Sequence, residues 1–201
     1  MSVSTAEIKL LREQTGAGIL DCRKALEENG GDMEKAIAFL REKGLADAEK
    51  RSGRETGNGR LELYDHGDGR VGVMVEVNCE TDFVARTDEF RTFTHEIALQ
   101  IAAASPKWIT DAQVPEDIIA GEKEIARRRA LDEGKPEKVI DRIVDGRLEK
   151  FLDERCLMRQ AYIRDEDKSV EELVKEMIAS TGENISIRRF KRWEVGEEKE
   201  V

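Results

Sequence analysis

Between the first forty residues and the next forty, the apolar residues of this chain change period. Up to Leu40 they recur every three to four positions, and at Val71, Val73, Val75 and Val77 they recur every second position. The first spacing puts a stripe on one face of a helix and the second fills one face of a strand, so the chain can be neither a pure helical bundle nor a pure sheet protein. It must place helices first and then build a sheet whose valine face needs a cover.

The helical part divides at its own punctuation. Ser4 to Glu7 reads STAE, a capping box in which the Ser side chain accepts from the Glu7 amide and the Glu reaches back. The helix it opens carries Ile8 and Leu11 and stops at Thr15-Gly16-Ala17-Gly18, where glycines permit a tight turn. A second helix with Ile19, Cys22, Ala25 and Leu26 ends at Asn29-Gly30-Gly31. Asp32 caps a third, which has Met33, Ala36, Ile37 and Leu40 at helical spacing and finishes at Gly44. Residues 45–59 lose the period and pass from a helical extension into a polar, glycine-bearing linker. Two domains follow: 1–55, a three-helix module plus linker helix, and 56–201, a core domain.

In the core domain Arg60 to His66 and Arg70 to Asn78 read as strands around the turn Gly67-Asp68-Gly69. A long helix follows with Phe90, Phe93, Ile97 and Ile101 on one face, capped by Thr87 and ended near Pro106. Pro115 to Asp132 and Glu137 to about Tyr162 read as two helices of an antiparallel hairpin around Gly134-Lys135-Pro136. Ser169 to Glu172, SVEE, reads as a second capping box, opening a helix that stops at Gly182. Asn184 to Val195 is the last strand; Phe190 falls out of phase with Ile185 and Ile187, which predicts a bulge or an interface at its far end. The order strand, strand, helices, strand predicts an α+β fold, a three-stranded antiparallel sheet covered by helices on one face.

Composition narrows the function. A formal net charge of −10 argues against broad nucleic-acid binding, which selects for clustered Lys and Arg. The N-terminus lacks a charged lead and apolar run, and no segment approaches the ~20 apolar residues that cross a bilayer; the expectation is a cytoplasmic protein without membrane contact. Cys22, Cys79 and Cys156 form no CxxC pair, and read as reduced, buried thiols. His66 and His95 have no sequence partner that would activate them, and neither GxGxxG nor a phosphate loop is present. With no nucleophile and base, carboxylate pair, metal set or cofactor motif to assign, the chain is expected to act by binding and not as an enzyme.

One stretch invites a binding role. NCETDFVAR, Asn78 to Arg86, sets Phe83 after Glu80, Thr81 and Asp82, in a connector between two elements that already have their core residues. Position alone leaves an inward and an outward Phe83 evenly matched.

Three segments in this order, LREQTGAGILDCRKAL (11–26), EVNCETDFVAR (76–86) and TGENISIRRF (181–190), resemble the signatures of the bacterial translation elongation factor Ts family, the guanine-nucleotide exchange factors of elongation factor Tu. The resemblance runs from the first helix to the last strand. It implies that the N-terminal module is a three-helix bundle of ubiquitin-associated (UBA-like) type. It also implies that Thr81, Asp82, Phe83 and Val84 intrude near the partner's magnesium site, and that Lys9, Leu11, Arg12, Ile19 and Leu20 grip its nucleotide domain. It turns Phe83 outward. The chain has one copy of the strand-strand-helices-strand core where longer relatives have two, so the resemblance implies the short form and a homodimer joined through the core domains. Where the family often has two methionines after TGAG, this chain has Ile19 and Leu20, which keep an apolar contact. Each residue also has a plainer reading. Arg12 suits a solvated helix face, Leu11 and Ile19 suit the module's own core, and TGENISIRRF suits the fold first. A different function class, an adaptor whose UBA-type module binds ubiquitin-like or peptide partners, leaves TDFVA unexplained.

Overall fold

The computed structural model describes residues 3–197. Along them run α1 (Thr5–Thr15), α2 (Ile19–Glu28), α3 (Met33–Arg51), β1 (Asn58–His66), β2 (Val71–Cys79), α4 (Asp82–Ala85), α5 (Asp88–Ala104), α6 (Glu116–Asp132), α7 (Glu137–Arg155), β3 (Ala161–Tyr162), β4 (Asp165–Ser169), α8 (Val170–Thr181) and β5 (Ile185–Glu194). Strands β1, β2 and β5 form an antiparallel sheet in that order, and β3 pairs with β4 in a small antiparallel ribbon. The class is α+β. The residues group into two compact units, each discontinuous in sequence: one holds the chain up to Glu62, Val75–Glu96 and Glu172–Phe190, the other Leu63–Met74, Ile97–Glu171 and the chain from Lys191.

The first unit begins with the three-helix bundle. The Glu7 amide donates to Ser4 Oγ at 3.2 Å and the Ser4 amide to Glu7 Oε2 at 2.7 Å, the reciprocal box that the sequence predicted. Gly16, at φ +67°, ends α1 in the left-handed conformation that costs glycine least, its N–H bonding Arg12 O. Asp32 caps α3 by accepting from the Lys35 amide at 3.1 Å. Leu11, Cys22, Ala25, Leu26, Ala36 and Leu40 make the bundle's core.

Helix α3 does not finish at Gly44; it continues to Arg51. That glycine is a packing site, not a stop: a Cβ there would lie 2.9 Å from Ala179 Cβ on α8. Close helix approach is a tertiary reason for glycine that its local signal cannot distinguish from a terminus.

The buried face of β2 is the valine face, with Val75 and Val77 fully buried. In the first unit His95 of α5 meets Glu62 of β1 at 3.3 Å, and in the second Arg192 of β5 donates to Ala102 O of α5 at 3.3 Å. Helix α5 therefore covers that face, and Thr87 caps it by accepting from the Phe90 amide at 3.2 Å. Where β1 starts, a side chain on Gly59 would set its Cβ 2.3 Å from Val77 O, so only glycine lets the two strands close up. The burial phase of β5 slips at Arg188-Arg189, both exposed, before Phe190 and Arg192 turn partly inward again, which accounts for the irregular phase of Phe190.

In the second unit α6 and α7 form an antiparallel hairpin: Ala126 and Ala130 pack on Ile140 and Val144 near its turn, and Ile119 joins Leu148, Phe151 and Leu152 at its far end. Helix α7 stops at Arg155, short of the expected Tyr162. The backbone there leaves the helix because Leu157 N donates to Trp108 O at 2.8 Å and Trp108 N to Arg155 O at 3.2 Å. The next residues are held by the buried Gln100, whose Nε2 donates to Gln160 Oε1 and Ala161 O while its Oε1 accepts from the Ile163 amide at 2.9 Å. Partners that remote in sequence leave no periodic trace, which is why β3 and β4 were not anticipated. Among the described residues no helix is long and apolar enough to cross a membrane.

Candidate functional site

The connector between β2 and α5 is not an open loop but a single helical turn. Thr81 has extended backbone angles and accepts from the Val84 amide at 3.4 Å, which caps α4. Asp82 follows in the first turn, where its charge suits the helix N-terminus, and it pairs with Arg86 at 2.9 Å across i,i+4. Helix α4 has no buried residue of its own. Phe83 is 82% exposed, the most exposed large hydrophobic side chain among the described residues, whereas Val84 is half-buried. The polar run before Phe83 is the start and cap of this turn, and the turn aims the ring at solvent.

The cap is itself held from a distant segment. The Glu183 carboxylate, in the turn between α8 and β5, accepts from the amides of Glu80 at 3.1 Å and Thr81 at 3.0 Å through Oε2, and from Thr81 Oγ1 at 2.5 Å through Oε1. Glu80 answers by accepting from the Asn184 amide at 2.6 Å. Asn184, nearly buried, donates to Arg54 O at 2.7 Å and Ser52 O at 3.3 Å, just past α3. Burial, then the neighbouring Glu183 carboxylate, push the Cys79 thiol up to about 11. That thiol is protonated at neutral pH and donates to Thr81 O at 3.1 Å.

The second group of expected contact residues lies on α1 and α2. Lys9 and Arg12 are exposed on α1, Lys9 standing 3.8 Å from Glu13. Ile19 and Leu20, in the first turn of α2, are 54% and 79% exposed. Leu11 differs from these and is corrected: it is fully buried in the bundle's core, so it supports that surface from beneath and offers nothing to a partner. Its helical spacing from Ile8 suited either role, and only packing separates them. Thr81 is also partly committed inward, since its hydroxyl serves both Val84 and Glu183.

Glu183 and Asn184 were not among the candidate residues, although both lie in the segment TGENISIRRF. A short polar pair between a helix-ending glycine and a strand was the available signal; what it bonds to could not be read from it. No group of three or more His, Cys, Asp or Glu among the described residues converges as a metal site requires.

The sequence matches the family described as "Elongation factor TS" over residues 30–197. It is also similar to proteins named "Elongation factor Ts": 60% identical over 195 residues to that of Caldanaerobacter subterraneus subsp. tengcongensis, covering 97% of this chain and 98% of that one. With that of Moorella thermoacetica it is 55% identical, covering 97% and 96%. With that of Coprothermobacter proteolyticus it is 54% identical over 197 residues, covering 98% and 100%.

Proposed function

The chain belongs to the elongation factor Ts family and is a translation elongation factor, and we propose that it acts as the guanine-nucleotide exchange factor of elongation factor Tu. The observation that carries the reading is Phe83, an apolar ring 82% exposed on a capped turn that holds it out of the fold.

An exchange factor must bind the empty GTPase better than the nucleotide-loaded one, since a ligand shifts an equilibrium only by its differential affinity. The coupling is reciprocal, so nucleotide entry expels the factor. Phe83 would enter an apolar cleft of the partner, a burial worth roughly 1.5–3 kcal/mol. The wedge displaces the elements that hold the magnesium ion, whose octahedral shell tolerates little distortion, and the phosphate site loses its cation. Asp82, beside Phe83, adds a carboxylate at that site. Arg12, Lys9, Ile19 and Leu20, on a bundle we read as UBA-like, hold the nucleotide domain and orient the wedge; a guanidinium supplies fork-shaped donors to partner carbonyls or carboxylates.

A homodimer through the core domain belongs to the same reading. On the second unit the strand faces opposite the buried valines carry Leu63, Met74 and Trp193, exposed at 69%, 41% and 60%, an apolar surface of the kind that a second copy would cover. The chain is read as cytoplasmic, where its partner works, with no enzyme chemistry of its own and no direct contact with nucleic acid or membrane.

The test is release of fluorescent GDP from elongation factor Tu, with this protein in catalytic amount and unlabelled GDP in excess. The expected outcome is release many-fold faster than the spontaneous rate; an unchanged rate ends the exchange-factor reading.

A further inference from the structure

We propose that Glu183 is a positioning residue for Phe83: its carboxylate fixes the start of α4 and thereby the direction of the wedge, an inference that rests on the reading of Phe83 given above. A four-residue helix has almost no stability of its own, because one turn does not repay its nucleation. Helix α4 also lacks the usual support, since none of its residues is buried, and Phe83 at 82% exposure is not packed down. What fixes the turn is polar. Glu183 accepts from the Glu80 amide at 3.1 Å, the Thr81 amide at 3.0 Å and the Thr81 hydroxyl at 2.5 Å, and that same hydroxyl caps α4 at the Val84 amide. Hydrogen bonds to an ionised acceptor are about twice as strong as neutral ones.

The arrangement is crossed. Glu80 sends its carboxylate back to the Asn184 amide, and its carbonyl accepts from Asn58 Nδ2 at 2.8 Å. Asn184 fastens the carbonyls of Ser52 and Arg54 beyond α3. Three connectors, after α3, after β2 and after α8, are thus tied at one polar knot within the first unit. The Glu80 and Asn184 side-chain bonds hold connector to connector, whereas of the three bonds of Glu183 two end on Thr81, the cap of α4, and one on the residue before it. Removing Glu183 frees the cap while leaving the strand ladder and the bundle core in place. Pre-organisation of this kind affects the step in which the wedge acts more than the initial grip, because the bundle surface still binds.

The experiment compares wild type, Glu183→Ala, Glu183→Gln and Phe83→Ala by two readouts: hydrogen exchange at the Glu80 and Thr81 amides, and fluorescent GDP release from elongation factor Tu over a range of factor concentrations. For Glu183→Ala the two amides exchange faster while those of β2 and α5 do not. The maximal release rate falls about tenfold, the worth of one charge-assisted hydrogen bond, with the half-saturating concentration nearly unchanged. Glu183→Gln, which keeps an acceptor for the amides and lets the Thr81 hydroxyl turn to accept, restores most of both. A full maximal rate in Glu183→Ala beside a slow Phe83→Ala overturns the positioning role and leaves the wedge standing. A full rate in Phe83→Ala overturns both. Where Glu183→Ala melts too early to assay, Thr81→Val removes one of the three bonds and the cap at nearly constant volume; a reduced maximal rate supports the proposal and an unchanged one overturns it.

Discussion

At the scale of single residues, exposure separates side chains that sequence spacing treats alike. Phe83, at 82% exposure, contributes little to stability, so Phe83→Ala should move the melting temperature little while slowing GDP release from elongation factor Tu by about tenfold or more, the loss expected from one unburied aromatic ring. A melting temperature that falls in step with activity would return Phe83 to the core. Leu11 and Leu20 make the opposite pair. Leu11→Ala opens a cavity in the bundle at a cost of about 2–5 kcal/mol, readable by urea denaturation. Leu20→Ala, at a side chain 79% exposed, leaves the unfolding midpoint in place and weakens partner binding. The thiols follow from burial too. Burial and its acidic neighbours push Cys79 and Cys156 up to about 11, so both stay protonated and unreactive to alkylation in the folded protein at pH 8. A thiol pKa raised in the fold means that stability is intact below the ordinary value of about 9 and falls as pH climbs from there toward about 11, a decline that denaturation across that range would detect.

At the scale of elements, two glycines that look like punctuation prove to be contacts. Gly44→Ala would gain up to about 1 kcal/mol of helix propensity, but the new methyl would stand 2.9 Å from Ala179 Cβ. Overpacking of that kind costs about 1–3 kcal/mol, so the net change is destabilising, with Ala179→Gly in the same chain expected to recover part of the loss. Gly59→Ala is harsher, because the obstacle is the Val77 carbonyl and backbone cannot yield as a side-chain tip does. Most elements were legible in the sequence because their signals are local: the STAE box, the Asp32 and Thr87 caps, the valine alternation and the two-helix hairpin all involve neighbours within a few residues. The end of α7, the ribbon of β3 and β4 and the turn of α4 were not legible. They depend on Trp108, Gln100 and Glu183, each supplied by a segment tens of residues away.

At the scale of the whole molecule, the exposed Leu63, Met74 and Trp193 predict self-association through the core. Light scattering at micromolar concentration should give twice the chain mass, and Leu63→Lys with Trp193→Glu should give the monomer without loss of helical signal; a wild-type monomer would end the dimer reading. The α+β class, the leading helical bundle, the hairpin and the segment that carries Phe83 were all readable from the sequence. These rest on period, capping and residue chemistry, which act over a few positions. Packing in three dimensions was needed to show that Leu11 faces in and Leu20 out, that Asp82–Ala85 form a turn capped by Thr81, and that Glu183 bonds to its start. Those outcomes depend on which remote segments meet, and burial and hydrogen-bond pairing between them leave no periodic mark in the chain.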